Sequence, residues 1–337
     1  MDFKNYPVKP FGVSGEKNIE AILEDMEKLS FQGRSLGTSF RIWRQMLEDN
    51  TFIFLGLAGA MVPAGMRKVI SYLIDKRLID CLVSTGANLF HDCYESLGKM
   101  HYQTSPLVDD EKLRKEGMDR IYDTLAPEEG FRNADEFIQQ FARSLDKDRS
   151  YTTREFLYLL GEYLDKKGSQ KGILTSAYQK KIPVYSPAIG DSSIGIALAA
   201  ARIPLKFDLV KDVYESAYLA GKMEKTGVIY IGGGTPKNFI QQTQVTLSCM
   251  GKAKEGHYYA IQITTDVPHW GGLSGCTMEE AQSWGKIAPR AKKVSLYCDA
   301  TVALPLLVEG LARLLKKGLK RPFVPRFEME ENIEFGE

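Results

Sequence analysis

Short apolar runs that are continuous rather than alternating constrain this chain more than any other feature. They are Phe52–Leu55, Leu78–Val83, Pro183–Ser186, Val228–Ile231, Tyr258–Ile263 and Val294–Tyr297. A strand with one wet face alternates apolar and polar residues, whereas a strand buried on both faces reads as an unbroken apolar run. Segments of helical periodicity lie between the runs. Met66–Lys76 places Val69, Ile70, Leu73 and Ile74 on one face, and Leu209–Leu219 and Ala303–Leu315 behave alike. Buried strands alternating with helices predict an α/β fold with a mostly parallel sheet and helices on both faces. Such a sheet takes ligands beyond the carboxyl ends of its strands.

Two segments depart from the alternation. Residues 1–50 read as a helical lead-in. Residues 111–167 are charged and amphipathic and are expected to be all helix, an insertion in the α/β domain. Thr152, three residues before Glu155, offers a capped helix start there. The length of 337 residues suggests roughly two domains. No Pro/Gly linker marks a boundary, however, so residues 51–320 are expected to form one α/β domain, followed by a tail at 321–337.

Composition narrows the partners. Forty-four Lys and Arg face 43 Asp and Glu, a net charge of +1. That balance gives no case for nucleic acid or an anionic membrane as the main partner. The apolar stretch Thr51–Met66 falls short of the about 20 residues a membrane span needs. Met1–Lys17 lacks an apolar signal core. The five cysteines form no C-x-x-C pair, which suggests reduced thiols in a cytoplasmic protein. The four histidines are scattered, so no metal site is expected.

Four constellations could carry chemistry. In Val228–Phe239 a buried strand runs into Gly232, Gly233 and Gly234, with Thr235 as a candidate N-cap and Pro236 at the first helical position. Glycines admit a close ligand and a helix N-terminus favours phosphate, but a plain tight turn reads equally well. Val83–Asn88, with Thr85, is either a pocket wall or an ordinary capped helix start. In Pro187–Gly195, Asp191 could accept ribose hydroxyls or cap a helix. The most informative is the loop Trp270–Gly275 followed by Glu279–Ile287, which holds Gly271, Ser274, Glu280, Trp284 and Lys286. A lysine buried beside an apolar ring loses its charge and becomes a nucleophile able to form an imine. A surface lysine whose stem covers Trp284 is the plainer alternative. Asp299-Ala300-Thr301 ends the last strand as a ligand contact or a helix cap. His91, His101 and His269 each read first as ordinary structural histidines.

Together these residues resemble the deoxyhypusine synthase family. The matching pieces are Ser283-Trp284-Gly285-Lys286-Ile287, Gly232–Gly234, Pro187-Ala188 through Asp191, Tyr297-Cys298-Asp299-Ala300, and the early Phe31–Gly37 segment. They occur in order from about residue 30 to 315.

The resemblance implies a Rossmann-like NAD-binding domain, a homotetramer, and active sites at subunit interfaces. It implies a reaction in which NAD oxidises spermidine, 1,3-diaminopropane leaves, and the butylamine group passes through an enzyme imine to a lysine of a translation factor. By position, Lys286 matches the imine-forming lysine. Glu280, Trp284, Ser274 and Gly271 match residues around the amine. Thr85, Asp191, Gly232, Gly234, Thr265, Asp299 and Ala300 match cofactor positions. Asn238 stands where eukaryotic-type members carry a histidine base, and asparagine shuttles no proton at neutral pH. Trp270, Leu273 and Ile196 replace acidic residues that grip spermidine, and His91 replaces a cofactor-site glutamate. The expected activity is therefore NAD-dependent aminobutyl transfer to a translation-factor lysine. Its rivals are a polyamine synthase that takes putrescine or agmatine as donor or acceptor and, remotely, a non-catalytic NAD-binding scaffold.

Overall fold

A computed structural model describes residues 6–336; residues 1–5 and 337, within the lead-in and the tail, lie outside the described residues. The fold is α/β, with a mostly parallel sheet flanked by helices. The chain divides into two compact units, Met1–Gly56 with Ser216–Val324, and Leu57–Glu215 with Pro325–Glu337.

In the first unit the strands Ile287–Tyr297, His257–Thr264, Lys225–Ile231 and Thr51–Leu57 neighbour one another in that order. The first three run parallel, with Ile263 opposite both Ile231 and Leu296. Their carboxyl ends are therefore level, and the segments starting at Gly232, Thr265 and Cys298 leave the sheet side by side. Thr51–Leu57 is buried at every residue, as its unbroken apolar run requires. The lead-in holds the helices Ile19–Met26 and Phe31–Glu48. Ala300–Lys316 starts at Asp299, whose carboxylate accepts from the Thr301 N–H at 2.7 Å. The cap reading of Asp299 is thus met.

In the second unit Cys81–Ser84 pairs in parallel with Val184–Tyr185. The apolar run from Leu78 begins as a strand only at Cys81. Residues 111–167 are not all helix. Helices Asp110–Lys115, Glu128–Ser144 and Thr153–Lys167 are interrupted by the antiparallel pair Met118–Ile121 and Thr124–Pro127, and by the short strand Ser150–Tyr151. The hairpin turns at Tyr122, whose φ of 53° suits a tight reversal and not a helix. Thr152 does cap its helix, accepting from the Glu155 N–H at 3.0 Å. The C-terminal residues form a hairpin of Phe327–Met329 and Ile333–Phe335. Buried Arg154 holds it, donating to the carbonyls of Met329, Glu330 and Glu331 and to the Glu215 carboxylate.

Candidate active site

The Lys286 motif is a helix stop. Thr277 caps the helix Met278–Ser283 by accepting from the Glu280 N–H at 3.0 Å. The helix ends where Gly285 adopts φ 67°. The Gly285 N–H donates to the Gln282 carbonyl and the Lys286 N–H to the Ala281 carbonyl, both at 3.0 Å. This pair of bonds is a Schellman cap, which needs a left-handed residue and so favours glycine. Lys286 also accepts from the His257 N–H at 3.0 Å, so its backbone is pinned from both sides as the strand Ile287–Tyr297 begins. The Trp-Gly-Lys order thus fixes the lysine beside the indole, with Nζ 5.3 Å from the Trp284 ring centre. That is a cation–π distance.

Lys286 is half-buried and the Trp284 ring is 67% exposed. The desolvated setting expected for the nucleophile is not what this chain alone provides, because the indole covers only one side of the amine.

The fully buried lysine of this region is another one. Lys237, three residues after the glycine triplet, has no exposed surface. Its ammonium donates to Gln262 Oε1 at 3.0 Å, to the Leu273 carbonyl at 3.3 Å and to the Cys276 carbonyl at 2.6 Å. Gln262 in turn donates from Nε2 to the Gly232 carbonyl at 2.9 Å and the Ser274 carbonyl at 2.7 Å. Two buried polar side chains therefore tie the glycine turn to the loop 271–276, with each donor matched to a carbonyl. Burial pushes the Lys237 ammonium below its usual range. Cys276, Glu280 and Asp266 oppose that shift, and the Lys286 ammonium adds to it. Glu280, Lys286 and Lys237 thus share one electrostatic neighbourhood. Sequence reasoning passed over Lys237. Its signal is the buried periodicity Lys237, Ile240, Gln241, Gln244 and Leu247 along the helix Gly234–Cys249.

The glycine turn is shaped by contact. A Cβ on Gly233 would lie 2.4 Å from the Ser274 Cα. Gly232 and Gly234 take φ 71° and 57°. The helix cap is Gly233, and Thr235 is an exposed residue inside the helix; the expected Thr235 cap is displaced because the close approach to Ser274 starts the helix earlier. Asn238 is half-buried one residue after Lys237. Thr265 and Asp299 are exposed and Ala300 is half-buried at the strand exits. Gly271 and Trp270 are exposed, Trp270 by 76%, while Ser274 is half-buried.

The other predicted cofactor residues belong to the second unit. Thr85 caps the helix Gly86–Ser96, as its plainer reading proposed, its Oγ1 accepting from the Asn88 backbone N–H at 3.5 Å. A Cβ on Gly86 would meet Ser192 Oγ at 2.4 Å, so the segment 186–192 lies directly on this helix start. Asp191 is exposed in that segment, and the cap of the next helix is Ser192. No group of three or more His, Cys, Asp or Glu that could hold a metal occurs among the described residues.

With this geometry in place, comparison with known proteins is decisive. The family model described as deoxyhypusine synthase matches residues 21–311. The chain belongs to the deoxyhypusine synthase family. It is 53% identical over 314 residues to "Probable deoxyhypusine synthase 2" of Methanosarcina acetivorans, covering 92% of this chain and 90% of that protein. It is 51% identical over 303 residues to the protein of the same name from Archaeoglobus fulgidus, covering 90% and 99%. A crystal structure assigned as a deoxyhypusine synthase from Entamoeba histolytica shares the fold, with a TM-score of 0.62 at 19% identity over 94% of this chain and 99% of that one. Family membership makes the chain a transferase by descent. No helix among the described residues is long and apolar enough to cross a membrane.

Proposed function

We propose that this protein is an NAD-dependent 4-aminobutyl transferase that oxidises spermidine and passes the butylamine group through an imine on Lys286 to a lysine of a translation factor. The observation that carries the reading is the Schellman-capped presentation of Lys286 over the Trp284 ring, with Glu280 in the same electrostatic neighbourhood. An imine-forming lysine needs a fixed approach and a free nitrogen. The pinned backbone supplies the first. The second distinguishes it from Lys237, whose ammonium spends its protons on three carbonyl-type oxygens.

In the transfer, Lys286 Nζ forms a bond to the oxidised carbon and 1,3-diaminopropane leaves with the original nitrogen. Glu280 offers a carboxylate to the substrate's remote ammonium, and the Trp284 face covers its methylenes. Lys237 and Gln262 hold the loop that carries Gly271 and Ser274.

The residues fit NAD. In the first unit Gly232 and Gly234 expose backbone where a side chain would stand, Asp299 opens a helix N-terminus and Thr265 presents an exposed hydroxyl; in the second, Thr85 opens a helix N-terminus and Asp191 presents exposed oxygens. NAD supplies the hydride acceptance that makes an amine carbon electrophilic. A homotetramer with sites at subunit interfaces accords with the exposed Trp270 and Trp284 and with the exposed Leu209, Val210 and Tyr214 on one helix. A partner subunit would also complete the desolvation of Lys286. We place the enzyme in the cytoplasm.

A second reading keeps the half-reaction with a small amine such as putrescine or agmatine as donor or acceptor, in place of spermidine or of the protein lysine. The exposed, uncharged Trp270, Leu273 and Ile196 favour it, since they stand where a longer polycation would be gripped by carboxylates.

Borohydride reduction of the protein incubated with NAD and spermidine, followed by peptide mass spectrometry, tests the half-reaction. A butylamine adduct on Lys286 is expected. Transfer to a translation factor or to a free amine then separates the two readings.

A further inference from the structure

Two helix ends of the second unit depart from the usual cap chemistry in the same way. The helix Arg67–Asp75 closes with the Arg77 N–H on the Ile74 carbonyl at 3.0 Å and the Leu78 N–H on the Leu73 carbonyl at 2.8 Å. The helix Ile173–Lys180 closes with the Lys181 N–H on the Tyr178 carbonyl at 3.1 Å and the Ile182 N–H on the Ala177 carbonyl at 2.9 Å. Both are Schellman caps, whose left-handed position is ordinarily glycine because a Cβ is strained there. Here that position holds Arg77, at φ 54°, and Lys181, at φ 49°.

The two strained cations converge. The Arg77 guanidinium donates to the Lys180 carbonyl, which staples one helix end to the other. Arg77, Lys180 and Lys181 line a cleft together with Arg326, Glu328 and Glu334 of the C-terminal hairpin. Its volume of about 790 Å³ lies within the roughly 300–1,000 Å³ of small-molecule sites. Buried Arg154 anchors the hairpin through the carbonyls of Met329, Glu330 and Glu331, so this part of the cleft is formed in advance. Helix dipoles favour cations at Arg77, Lys180 and Lys181. Arg326 comes from the hairpin and has no such cause.

The carboxylates are strained as well. Glu328 stands directly opposite Glu334 in the hairpin, and like charges facing each other across a strand pair destabilise it. Among the described residues neither carboxylate is in an ion pair, nor are Lys180, Lys181 and Arg326. The cleft thus gathers both signs of charge without neutralising them.

That pattern selects a ligand. A guanidinium fork with ammonium groups suits a phosphate. A carboxylate only accepts, so the facing pair suits hydroxyl donors. An all-anionic ligand would be repelled by Glu328 and Glu334, and a cation by the four basic groups.

We propose that this cleft binds a phosphate monoester carried on a hydroxylated ring, with the phosphate among Arg77, Lys180, Lys181 and Arg326 and the hydroxyls donating to Glu328 and Glu334. None of these residues is among those given to the amine or to NAD, so the site stands or falls apart from the transferase reading.

Calorimetry on the full-length protein at low salt tests it, with inorganic phosphate, ribose 5-phosphate and AMP as titrants. Excess NAD is present throughout so that the cofactor site does not take up AMP. Ribose 5-phosphate should bind about 10-fold tighter than inorganic phosphate, through its hydroxyls. Lys181→Gly should weaken ribose 5-phosphate by about 10-fold, the loss of one charge-assisted hydrogen bond. Its melt should come no earlier than that of the wild type, because glycine relaxes the cap, so the loss is not one of folding. Arg326→Gln should weaken binding by a similar factor. Glu328→Gln should weaken ribose 5-phosphate roughly 3- to 10-fold and leave inorganic phosphate as tight or tighter. AMP tighter than ribose 5-phosphate would assign a nucleotide, and equal or weaker AMP a sugar phosphate. Ribose 5-phosphate no tighter than inorganic phosphate, or binding within twofold of wild type in either Lys181→Gly or Arg326→Gln, would overturn the proposal.

Discussion

The two lysine regions of the first unit make opposite use of a cation. Lys237 enters at the start of a long helix, is fully buried, and spends its ammonium on Gln262, Leu273 and Cys276. Lys286 leaves at the end of a short helix, is half-buried, and faces an indole at 5.3 Å. Burial is the usual guide to a reactive lysine, yet here the buried one is a structural tie. What separates them is whether the nitrogen's hydrogen bonds are already committed. A lysine whose protons all reach carbonyl-type oxygens is held as a tie between segments, whereas one lying over a ring has a nitrogen not committed to such acceptors.

Breaking each side of that comparison has a different signature. Lys286→Arg removes the amine proposed to form the imine and keeps a charge that cannot be shed. Adduct formation should fall by at least ~10³-fold while NAD binding and thermal stability hold, read by trapping and a melt. Lys237→Met strands three acceptors in the interior and should cost about 3–5 kcal/mol in denaturant unfolding. Adduct formation should fall with it, as the loop 271–276 loosens. If Lys237→Met kept full stability, the tie would carry no weight.

His257 tests the same unit through pH. It is fully buried, bonded to Thr226 Oγ1 at 2.7 Å, and burial pushes its pKa down to about 4 from 6.5. The unfolded chain then binds the extra proton between those values. The stabilisation is therefore complete above pH 6.5 and is lost as pH falls toward 4, on the order of 3 kcal/mol. The difference in unfolding free energy between wild type and His257→Gln should shrink across that window. A constant difference would count against a neutral His257. The smallest effect is expected for Gly285→Ala, where a Cβ in the left-handed cap costs about 1 kcal/mol. Its melt should shift by only a few degrees, while trapping on Lys286 slows because the lysine's approach is altered.

Much of this was legible in the sequence, for physical reasons that differ from place to place. Continuous apolar runs marked the buried strands, since nothing else requires Phe52–Leu55 or Val228–Ile231 to lack charged residues. Cap chemistry marked Thr85, Thr152 and Asp299, because a short oxygen-bearing side chain before a helix satisfies free N–H groups. The pair Met118–Ile121 and Thr124–Pro127 was hidden, because four-residue strands with mixed polarity carry no period against a charged helical background. Lys237 was hidden for another reason. Lysine is ordinarily a surface residue, and only its three acceptors, drawn from segments 25 to 39 positions away, make its burial tolerable.

The most direct test of the central claim is the site of covalent trapping in the wild-type enzyme. With NAD and spermidine, borohydride should fix a butylamine group on Lys286 and leave Lys237 unmodified. An adduct on Lys237, or none on Lys286 with spermidine, putrescine or agmatine, would contradict it.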